Sequence, residues 1–435
     1  MIPKRKIFLD MVGCRLNQSE LERIGGQLRL AGHNLVGQMA EADLAIINTC
    51  AVTAKASSDS RQMARKAVRQ GVGQVILTGC WASLNQESAA SITGVTGVIP
   101  NDQKDQLARL VLEIPETEFE LEPARRQPLP GVRRRTRAFI KIQDGCDRHC
   151  TFCVTTIARG SSRSVPVSKV LEDIHAAVAG GANEVILTGV NLGAWGSDFS
   201  EKSSLEQLLL SILHHTDIRR VRLSSLEPWG LSGSFLDLWQ DSRLCRHLHL
   251  PLQSGSPSVL KRMARNTNPY RYRSLIESIR QRYPQMGITT DIMVGFPGET
   301  QFEFEQSQSF VREMEFSGGH VFTYSERSGT SAQSFPGAIS NSIRRKRSRR
   351  MRSILETSSQ KFQSGFLGRE VSVLWEGHSI KEAHGWSLGG RSSENLRIQS
   401  YGESDWRNQI QQVRITKLGS DASLEGTIVF HLDEA

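Results

Sequence analysis

The chain has no long hydrophobic run, few aromatic residues and few cysteines. Of its 435 residues, 38% are hydrophobic, 6% are aromatic and 7 are cysteine. No apolar run approaches the roughly 18 residues that a membrane-spanning helix needs, so we expect no membrane contact. The apolar stretch at residues 7–9 ends at Asp10 and is too short for a signal peptide. We therefore expect a soluble cytoplasmic protein whose cysteines bind metals or react rather than form disulfides.

Positive charge, in contrast, is plentiful. The chain carries 54 Lys and Arg against 45 Asp and Glu, a formal net charge of +9. This balance is compatible with binding to nucleic-acid phosphates. Basic residues cluster at 133–137 and again at 344–352, where little acid compensates them. Each cluster could instead be the solvated face of a helix.

The length is too great for one ordinary core, and three kinds of pattern follow one another. Residues 1–105 alternate between apolar strand runs and helices, which indicates an open parallel α/β sheet. Residues 106–135 are first acidic and then rich in Pro and Arg, as in a linker. Residues 136–365 hold six strand–helix repeats, which predict a partial (β/α) barrel. Residues 366–435 have short alternating runs and Gly-rich turns, which favour a small antiparallel β-barrel.

Three cysteines form a C-x3-C-x2-C run at the start of the predicted (β/α) barrel. Cys146, Cys150 and Cys153 directly follow its first strand. Three thiolates at this spacing can hold a [4Fe–4S] cluster by three irons, which leaves the fourth iron open for chemistry. Two alternatives are a buried cysteine stripe on a helix and a structural zinc site with His149 as fourth ligand.

Three other cysteines are scattered in the sequence but share a position relative to strands. Cys14, Cys50 and Cys80 each follow a predicted strand of the first sheet. The carboxyl ends of parallel strands lie at one edge, where such sheets bind ligands. This repetition indicates a second metal cluster, although a single buried cysteine near a strand end would be unremarkable. Cys245 fits neither set and is expected to be a buried structural thiol.

The last predicted domain is expected to bind RNA, since small barrels of this kind often bind nucleic acid. Trp375, Trp386, Tyr401 and Trp406 are available to stack on bases, but they could equally be core residues. The sequence alone leaves the two roles open.

The three domains and their cysteines resemble the radical S-adenosylmethionine (SAM) methylthiotransferase family. That family joins an N-terminal methylthiotransferase domain with three cysteines, a radical SAM barrel with C-x3-C-x2-C, and a C-terminal TRAM barrel. The sequences at 13–18 (GCRLNQ), 48–53 (NTCAVT) and 143–146 (QDGC) are similar to those of one branch. That branch acts on N6-threonylcarbamoyladenosine in tRNA.

The resemblance implies two [4Fe–4S] clusters and SAM as cofactors. Cys146, Cys150 and Cys153 would hold the cluster that binds and cleaves SAM, whereas Cys14, Cys50 and Cys80 would hold the auxiliary cluster that supplies sulfur. A radical made from SAM would take hydrogen from C2 of the adenine, where the methylthio group is installed. The residues expected to line the SAM pocket are Phe152, Gly189, Asn191, Ser224, Glu227, Gln253 and Gly295. Phe152 is expected near the adenine of SAM.

The resemblance also implies a substrate and partners. The expected substrate is N6-threonylcarbamoyladenosine at position 37 of tRNA, next to the anticodon, and the product is its 2-methylthio derivative. An electron donor such as a flavodoxin or a ferredoxin would reduce the clusters. Alternatives are the same chemistry on N6-isopentenyladenosine of tRNA or on an aspartate of a ribosomal protein, and a non-catalytic RNA-binding protein that uses zinc.

Overall fold

The computed structural model describes residues 4–114, 126–130, 136–228, 231, 233–377, 379–382, 385–419 and 421–430. The chain forms two compact units. The first consists of Met1–His149, Cys153–Ser204 and His214–Asp217, and the second of Cys150–Phe152, Leu205–Leu213 and Ile218–Ala435. Within the described residues, no helix is long and apolar enough to cross a membrane.

The first unit begins with a parallel five-stranded sheet, as predicted. The strands are β1 (Lys6–Met11), β2 (Asn34–Val36), β3 (Leu44–Thr49), β4 (Gln74–Gly79) and β5 (Gly97–Val98), in the order β2–β1–β3–β4–β5. The helices are α1 (Arg15–Leu30), α2 (Ala54–Arg69), α3 (Cys80–Leu84), α4 (Gln86–Ala90) and α5 (Leu107–Leu112). Alternate residues of β3 enter two core clusters, Leu44 and Ile46 with α1, and Ala45 and Ile47 with α2. Helices therefore cover both faces of the sheet, which explains its continuous apolar strands.

The predicted linker at 106–135 starts too early. Helix α5 packs Leu107, Ala108 and Leu112 into the core cluster of α1, and Leu129 joins the same cluster. These apolar residues belong to the first core because they continue the hydrophobic face of the preceding sheet domain. The acidic residues from 116 to 122 and the arginines at 133–135 lie outside the described residues.

The first unit continues with strands and helices that surround the cysteine run. These are β6 (Ala138–Lys141), β7 (Gln143–Asp144), α6 (Thr155–Arg159), β8 (Arg163–Ser164), α7 (Val167–Ala179) and β9 (Glu184–Thr188). Strands β6 and β9 pair in parallel, whereas β7 and β8 form a short antiparallel pair.

The second unit continues the alternation of strands and helices. Its elements are α8 (Leu205–His215, whose end belongs to the first unit), β10 (Arg220–Leu223), α9 (Gly233–Asp237), β11 (His247–His249), α10 (Pro257–Arg262), α11 (Pro269–Arg282), β12 (Gly287–Val294), α12 (Gln301–Glu313) and β13 (Gly318–Thr323). Strands β11, β12 and β13 pair in parallel. With β6, β9 and β10, they give the six predicted repeats in chain order. Short 3₁₀ helices lie at Met39–Glu41, Lys104–Gln106, Leu192–Ala194, Leu238–Gln240 and Ser331–Ser334.

A closed barrel ends the second unit. Helix α13 (Asn341–Ser364) leads to β14 (Glu370–Trp375), β15 (Ile380–Glu382), β16 (Gly385–Ser392), β17 (Arg397–Gly402), β18 (Ile410–Leu418) and β19 (Leu424–Val429). The ring β14–β18–β19–β17–β16 closes through pairing of β16 with β14, and β15 extends it at β16. The pairs are antiparallel as predicted, except for β17 with β19, which is parallel. Trp375 is fully buried in the barrel core, and Trp386 and Trp406 are half-buried against it. Tyr401 is 70% exposed and is the most accessible of these four rings to a base.

The basic cluster at 344–352 is only partly a surface feature. Arg344 pairs with Glu326 at 2.7 Å, and Arg347 pairs with Glu299 at 2.6 Å. Both arginines are buried on one face of α13, so their charges are neutralised by acids distant in sequence. Five cations of this cluster stay exposed: Arg345, Lys346, Arg349, Arg350 and Arg352.

Candidate functional site

The three scattered cysteines lie at one edge of the first sheet. Cys14 caps the N-terminus of α1 after β1, Cys50 follows β3 directly, and Cys80 begins α3 directly after β4. Strands β1, β3 and β4 are neighbours and parallel, so their carboxyl ends share that edge. The expected convergence of these residues is therefore present. Their role as cluster ligands stays a prediction.

The thiols of this edge are close enough to affect one another electrostatically. Burial raises the pKa of Cys50 to about 12, and Coulombic interactions with Cys14 and Cys80 contribute to the rise. A side chain at Gly13 (φ +115°) would place its Cβ 2.7 Å from the Cys50 sulfur, so glycine is needed for this approach. Thiolates gathered in this way repel one another unless positive charge, such as that of iron, compensates them. The donor set therefore fits a metal cluster.

A buried arginine contacts the same edge. Arg159, at the end of α6, points its Nε at the Cys80 sulfur over 3.3 Å. Its Nη1 donates to Glu20 at 2.8 Å and to Asp144 at 2.9 Å, and its Nη2 donates to Asn17 at 3.1 Å. Although burial opposes its charge, attraction to Glu20, Cys80 and Asp144 raises the pKa of Arg159 well above its usual range. The guanidinium is therefore a fixed cation beside the cysteines.

Glu20 is the centre of this polar network. Its carboxylate accepts from Lys104 Nζ at 2.8 Å and from Asn48 Nδ2 at 3.0 Å, in addition to Arg159. Burial alone would raise the pKa of Glu20, but Arg159 and Lys104 hold it well below its usual range. Asn101 also donates to the Cys80 sulfur, at 3.7 Å. The side chains around the cysteines are therefore held by charge-assisted hydrogen bonds.

The segment before the C-x3-C-x2-C run is held tightly within the first unit. A Cβ at Gly145 (φ +67°) would lie 1.9 Å from the Ser161 carbonyl oxygen, so no other residue fits. The Cys146 N–H donates to the Gly160 carbonyl at 3.0 Å. The Cys146 sulfur accepts from Arg148 N–H at 3.4 Å and lies 3.9 Å from Asn191 Nδ2.

Cys150 lies in the second unit beside another buried arginine. Arg265 Nη1 is 3.8 Å from the Cys150 sulfur and 3.1 Å from Glu227 Oε1, and Nη2 is 2.5 Å from Glu227 Oε2. Burial opposes the charge of Arg265, but Glu227 raises its pKa. Glu227, which is expected in the SAM pocket, thus positions Arg265 beside Cys150.

Phe152 packs into an apolar cluster of the second unit. Its ring meets the edge of Phe296 with 6.5 Å between the ring centroids, next to Met263 and Tyr324. The structure therefore gives this ring apolar neighbours. The expected contact of Phe152 with the adenine of SAM stays a prediction.

Two of the expected pocket residues belong to the first unit and are positioned by Gln143. Gly189 lies against the Gln143 side chain, whose Oε1 accepts from the Asn191 N–H at 2.8 Å. The same side chain donates to the Gly145 carbonyl at 2.8 Å. Gln143 thus joins the loop after β9 to the start of the cysteine run. Within the described residues, Asn191 Oδ1 is buried without a hydrogen-bond partner.

The remaining expected pocket residues lie in the second unit. Ser224 is buried, and its hydroxyl has no partner among the described residues. Gln253 adopts φ +71° and donates its N–H to the Asp291 carbonyl. The Gly295 N–H donates to Glu299 Oε2 at 2.7 Å. The unpartnered Ser224 hydroxyl is the strongest sign of a ligand in this set, because buried polar atoms are rarely left unbonded.

The second unit also contains a His–Asp pair that the sequence did not predict. His249 Nε2 on β11 lies 3.2 Å from Asp291 Oδ2 on β12, and the Thr289 hydroxyl lies 2.9 Å from His249 Nδ1. Asp291 Oδ1 is buried without a partner in the described part of the chain. Three consecutive polar residues, Thr289, Thr290 and Asp291, interrupt an otherwise apolar strand and would have been a signal for a polar site here.

Arg159 and Arg265 were also missed. Arg159 meets Glu20 across 139 residues of sequence, so no spacing connects them. A usable signal was a glutamate on the apolar side of α1, between Leu16 and Leu21. In contrast, Cys245 is a buried thiol as expected, and its carbonyl accepts from Trp239 Nε1 at 2.8 Å.

A single metal ion is not supported by side-chain convergence. Across the described ranges, no three His, Cys, Asp or Glu side chains converge on a point suited to one ion. The cysteines of an iron–sulfur cluster bind separate irons and need no common point.

Comparisons with known proteins identify the family. The Radical SAM superfamily model matches residues 140–311, and the model described as Uncharacterized protein family UPF0004 matches residues 6–100. A threonylcarbamoyladenosine tRNA methylthiotransferase MtaB of Thermotoga maritima is 33% identical over 385 residues, 87% of this chain and 88% of the relative. The chain belongs to the radical SAM methylthiotransferase family.

Other relatives in this family differ in the substrate that their names give. The Bacillus subtilis relative, also named threonylcarbamoyladenosine tRNA methylthiotransferase MtaB, is 29% identical over 433 residues, 95% of this chain and 94% of its own. A tRNA-2-methylthio-N(6)-dimethylallyladenosine synthase of Clostridium tetani is 30% identical over 442 residues, 97% of this chain and 96% of its own. The substrate branch therefore needs separate support.

The fold is similar to that of a solved radical SAM enzyme. The radical S-adenosylmethionine methyltransferase TsrM of Kitasatospora setae matches with a TM-score of 0.56 and 15% identity, over 76% of this chain and 77% of that chain. At this identity the likeness concerns the fold alone. As a radical SAM methylthiotransferase, the chain uses SAM and two [4Fe–4S] clusters, and six of its seven cysteines, in two sets of three, fit that requirement.

Proposed function

We propose that the chain inserts a methylthio group at C2 of N6-threonylcarbamoyladenosine at position 37 of tRNA. Two observations favour this substrate over others of the family. Relatives from Thermotoga maritima and Bacillus subtilis carry the threonylcarbamoyladenosine name and match most of the chain. The sequences GCRLNQ at 13–18 and NTCAVT at 48–53 resemble the same branch.

The single observation that carries the chemistry is the presence of two separate cysteine triads. Cys14, Cys50 and Cys80 share one sheet edge, and the C-x3-C-x2-C run lies elsewhere in sequence. We assign the auxiliary cluster to the first triad and the SAM-binding cluster to Cys146, Cys150 and Cys153. When bound, these clusters would supply the electron that cleaves SAM and the sulfur that is transferred.

The chain's own residues would orient the reactants. Gln143 fixes the loop that carries Asn191 beside Cys146, so a ligand at the open iron would meet an ordered surface. The unpartnered Asn191 Oδ1 is suited to accept a hydrogen bond from SAM, and the unpartnered Ser224 Oγ is suited to donate or accept one. Arg265, held by Glu227, would donate to the Cys150 sulfur. We assign the SAM pocket to these and the other expected residues, Phe152, Gly189, Glu227, Gln253 and Gly295.

Substrate RNA would be held by charge and by the small barrel. The five exposed cations of the 344–352 cluster can contact phosphates, and exposed Tyr401 can stack on a base. Electrons would come from a flavodoxin or a ferredoxin. These partners follow from the proposed reaction.

The second candidate substrate is N6-isopentenyladenosine of tRNA. The Clostridium tetani relative favours it, since that protein is named for dimethylallyladenosine and matches 97% of this chain. Both candidates use the same cofactors. Only the side group on N6 of the adenine distinguishes them.

Nucleoside mass spectrometry of tRNA from a deletion strain tests the substrate. We expect loss of the 2-methylthio-threonylcarbamoyl nucleoside, restored by the wild-type gene but not by Cys150→Ala. A matched Cys245→Ala variant, which changes a buried thiol outside both triads, should restore it. Loss of only the methylthio-isopentenyl nucleoside would contradict the first substrate and support N6-isopentenyladenosine instead.

A further inference from the structure

We propose that Arg159 is a positioning residue for the auxiliary cluster, and that its hydrogen bond to the Cys80 sulfur raises the reduction potential of that cluster. The inference rests on the proposed function, because it requires a cluster on Cys14, Cys50 and Cys80. It concerns how this chain controls the cluster's electronic state.

The guanidinium is placed for this role by all three of its nitrogens. Nε lies 3.3 Å from the Cys80 sulfur, and the other two nitrogens donate to Glu20, Asp144 and Asn17. The side chain is 1% exposed, so it cannot exchange these partners for water. Its direction towards the sulfur is therefore fixed before any metal binds.

The partners of Arg159 connect three segments that carry cysteines. Asn17 and Glu20 lie in α1, which Cys14 caps, and Asp144 lies two residues before Cys146. Arg159 itself follows Cys153 by six residues. The Arg159 side chain thus makes hydrogen bonds to residues near Cys14 and near Cys146, one from each cysteine set. A surface ion pair would not connect these segments.

The physical effect on the cluster has a definite sign. A reduced iron–sulfur cluster carries one more negative charge than its oxidised form. A buried cation that donates a hydrogen bond to a ligand sulfur stabilises the reduced form more, and the potential rises. Asn101 also donates to Cys80, but it is neutral and its nitrogen is farther away, at 3.7 Å. Arg159 should therefore be the main contributor of the two.

Lysine should not replace this arginine fully. Lysine keeps the charge, but it lacks the planar fork that donates to the sulfur and to the carboxylates at the same time. Arg159→Lys is therefore expected to give a potential between those of the wild type and Arg159→Gln. A role in packing or stability alone would predict no such order of potentials.

The test uses full-length protein in which Cys146, Cys150 and Cys153 are replaced by Ala, so that only the auxiliary cluster gives a signal. The midpoint potential is measured by redox titration with electron paramagnetic resonance. Into this background we introduce Arg159→Gln, Arg159→Lys and, as a matched control, Arg163→Gln. Arg163 is 53% exposed, lies 3.9 Å from Asp144, and belongs to the same segment.

We expect Arg159→Gln to shift the reduction equilibrium at least tenfold towards the oxidised cluster, about 59 mV for a one-electron couple. Arg163→Gln should leave the potential unchanged. Equal potentials for Arg159→Gln and Arg163→Gln would overturn the inference while leaving the cluster assignment intact. If the Arg159→Gln protein fails to bind iron, the Arg159→Lys protein is compared with Arg163→Gln instead. Equal midpoint potentials of these two proteins would then overturn the inference. Absence of iron from the background protein would overturn the cluster assignment itself, and this inference with it.

Discussion

Replacing Glu20 with glutamine removes the centre of the buried network in the first unit. The carboxylate accepts from Arg159 at 2.8 Å, from Lys104 at 2.8 Å and from Asn48 at 3.0 Å. Glutamine keeps the shape of the side chain but not its charge. Arg159 would keep Asp144 as a counter-charge, whereas Lys104 would keep only neutral Asn48 from this network.

The expected cost follows from burial. The side chains of Glu20, Arg159 and Lys104 are 3%, 1% and 4% exposed, so water cannot replace the lost carboxylate. Removing one partner of a buried ion pair costs about 3–5 kcal/mol. Arg159 and Lys104 hold the pKa of Glu20 well below its usual value, despite burial. The stabilisation is therefore present above pH of about 4.3 and is lost as the pH falls through the lower folded pKa.

Hydrogen exchange of β1 and β3 at neutral pH measures this cost locally. A loss of about 3 kcal/mol makes the slowest amides exchange roughly 10²-fold faster. The control is Asp59→Asn, which breaks the exposed Lys55–Asp59 pair on α2 of the same unit. That change should cost about 0.3–0.5 kcal/mol. Equal exchange rates in the two variants would refute the reasoning about the buried network.

Three further predictions concern the second unit. Arg347→Gln leaves buried Glu299 without its cation and should lower the free energy of unfolding by about 3–5 kcal/mol, measured by denaturant titration. The control is Arg349→Gln, exposed on the same helix, which should change that free energy by less than about 0.5 kcal/mol. Hydrogen bonding to Arg262 lowers the pKa of Glu303 to about 2. The free energy of unfolding contributed by this carboxylate should therefore be lost as the pH falls from about 4.3 towards 2, and the Glu303→Gln variant should lack this part of the pH dependence. Asp291→Asn should keep the iron content but slow product formation about 10²-fold if the buried, unpartnered Asp291 Oδ1 positions a reactant. Unchanged product formation would contradict a role of Asp291 in the reaction.

The strands and the first cysteine triad could be predicted because local patterns determine them. Residues 44–47 are all apolar, and the strand there is buried on both faces. The rule that parallel strands end at one edge then placed Cys14, Cys50 and Cys80 together. No long-range information was needed beyond the direction of the strands.

Charge pairing over long sequence distances could not be predicted. The basic cluster at 344–352 contains no acidic residue, yet Arg347 forms an ion pair with Glu299, which lies 48 residues earlier. Arg159 and Glu20 are further apart still. Such pairs depend on tertiary packing, so no local pattern indicates that part of a basic run is buried.

Glycine-rich strands were also missed. Strand β16 contains Gly385, Gly389 and Gly390, and glycines there indicated turns. A Cβ at Gly390 would lie 2.7 Å from the Leu374 carbonyl, so the glycine allows the close approach of β14 that closes the barrel. The feature that suggested a loop is the one that the closed barrel needs.

The central claim is that this chain holds two clusters on two separate cysteine triads. Iron analysis of anaerobically reconstituted protein, compared between Cys14→Ala/Cys50→Ala/Cys80→Ala and Cys146→Ala/Cys150→Ala/Cys153→Ala, tests it most directly. Each triple variant should keep about half of the wild-type iron, since each triad binds one cluster. Full loss of iron in either variant, or wild-type iron in both, would contradict the account.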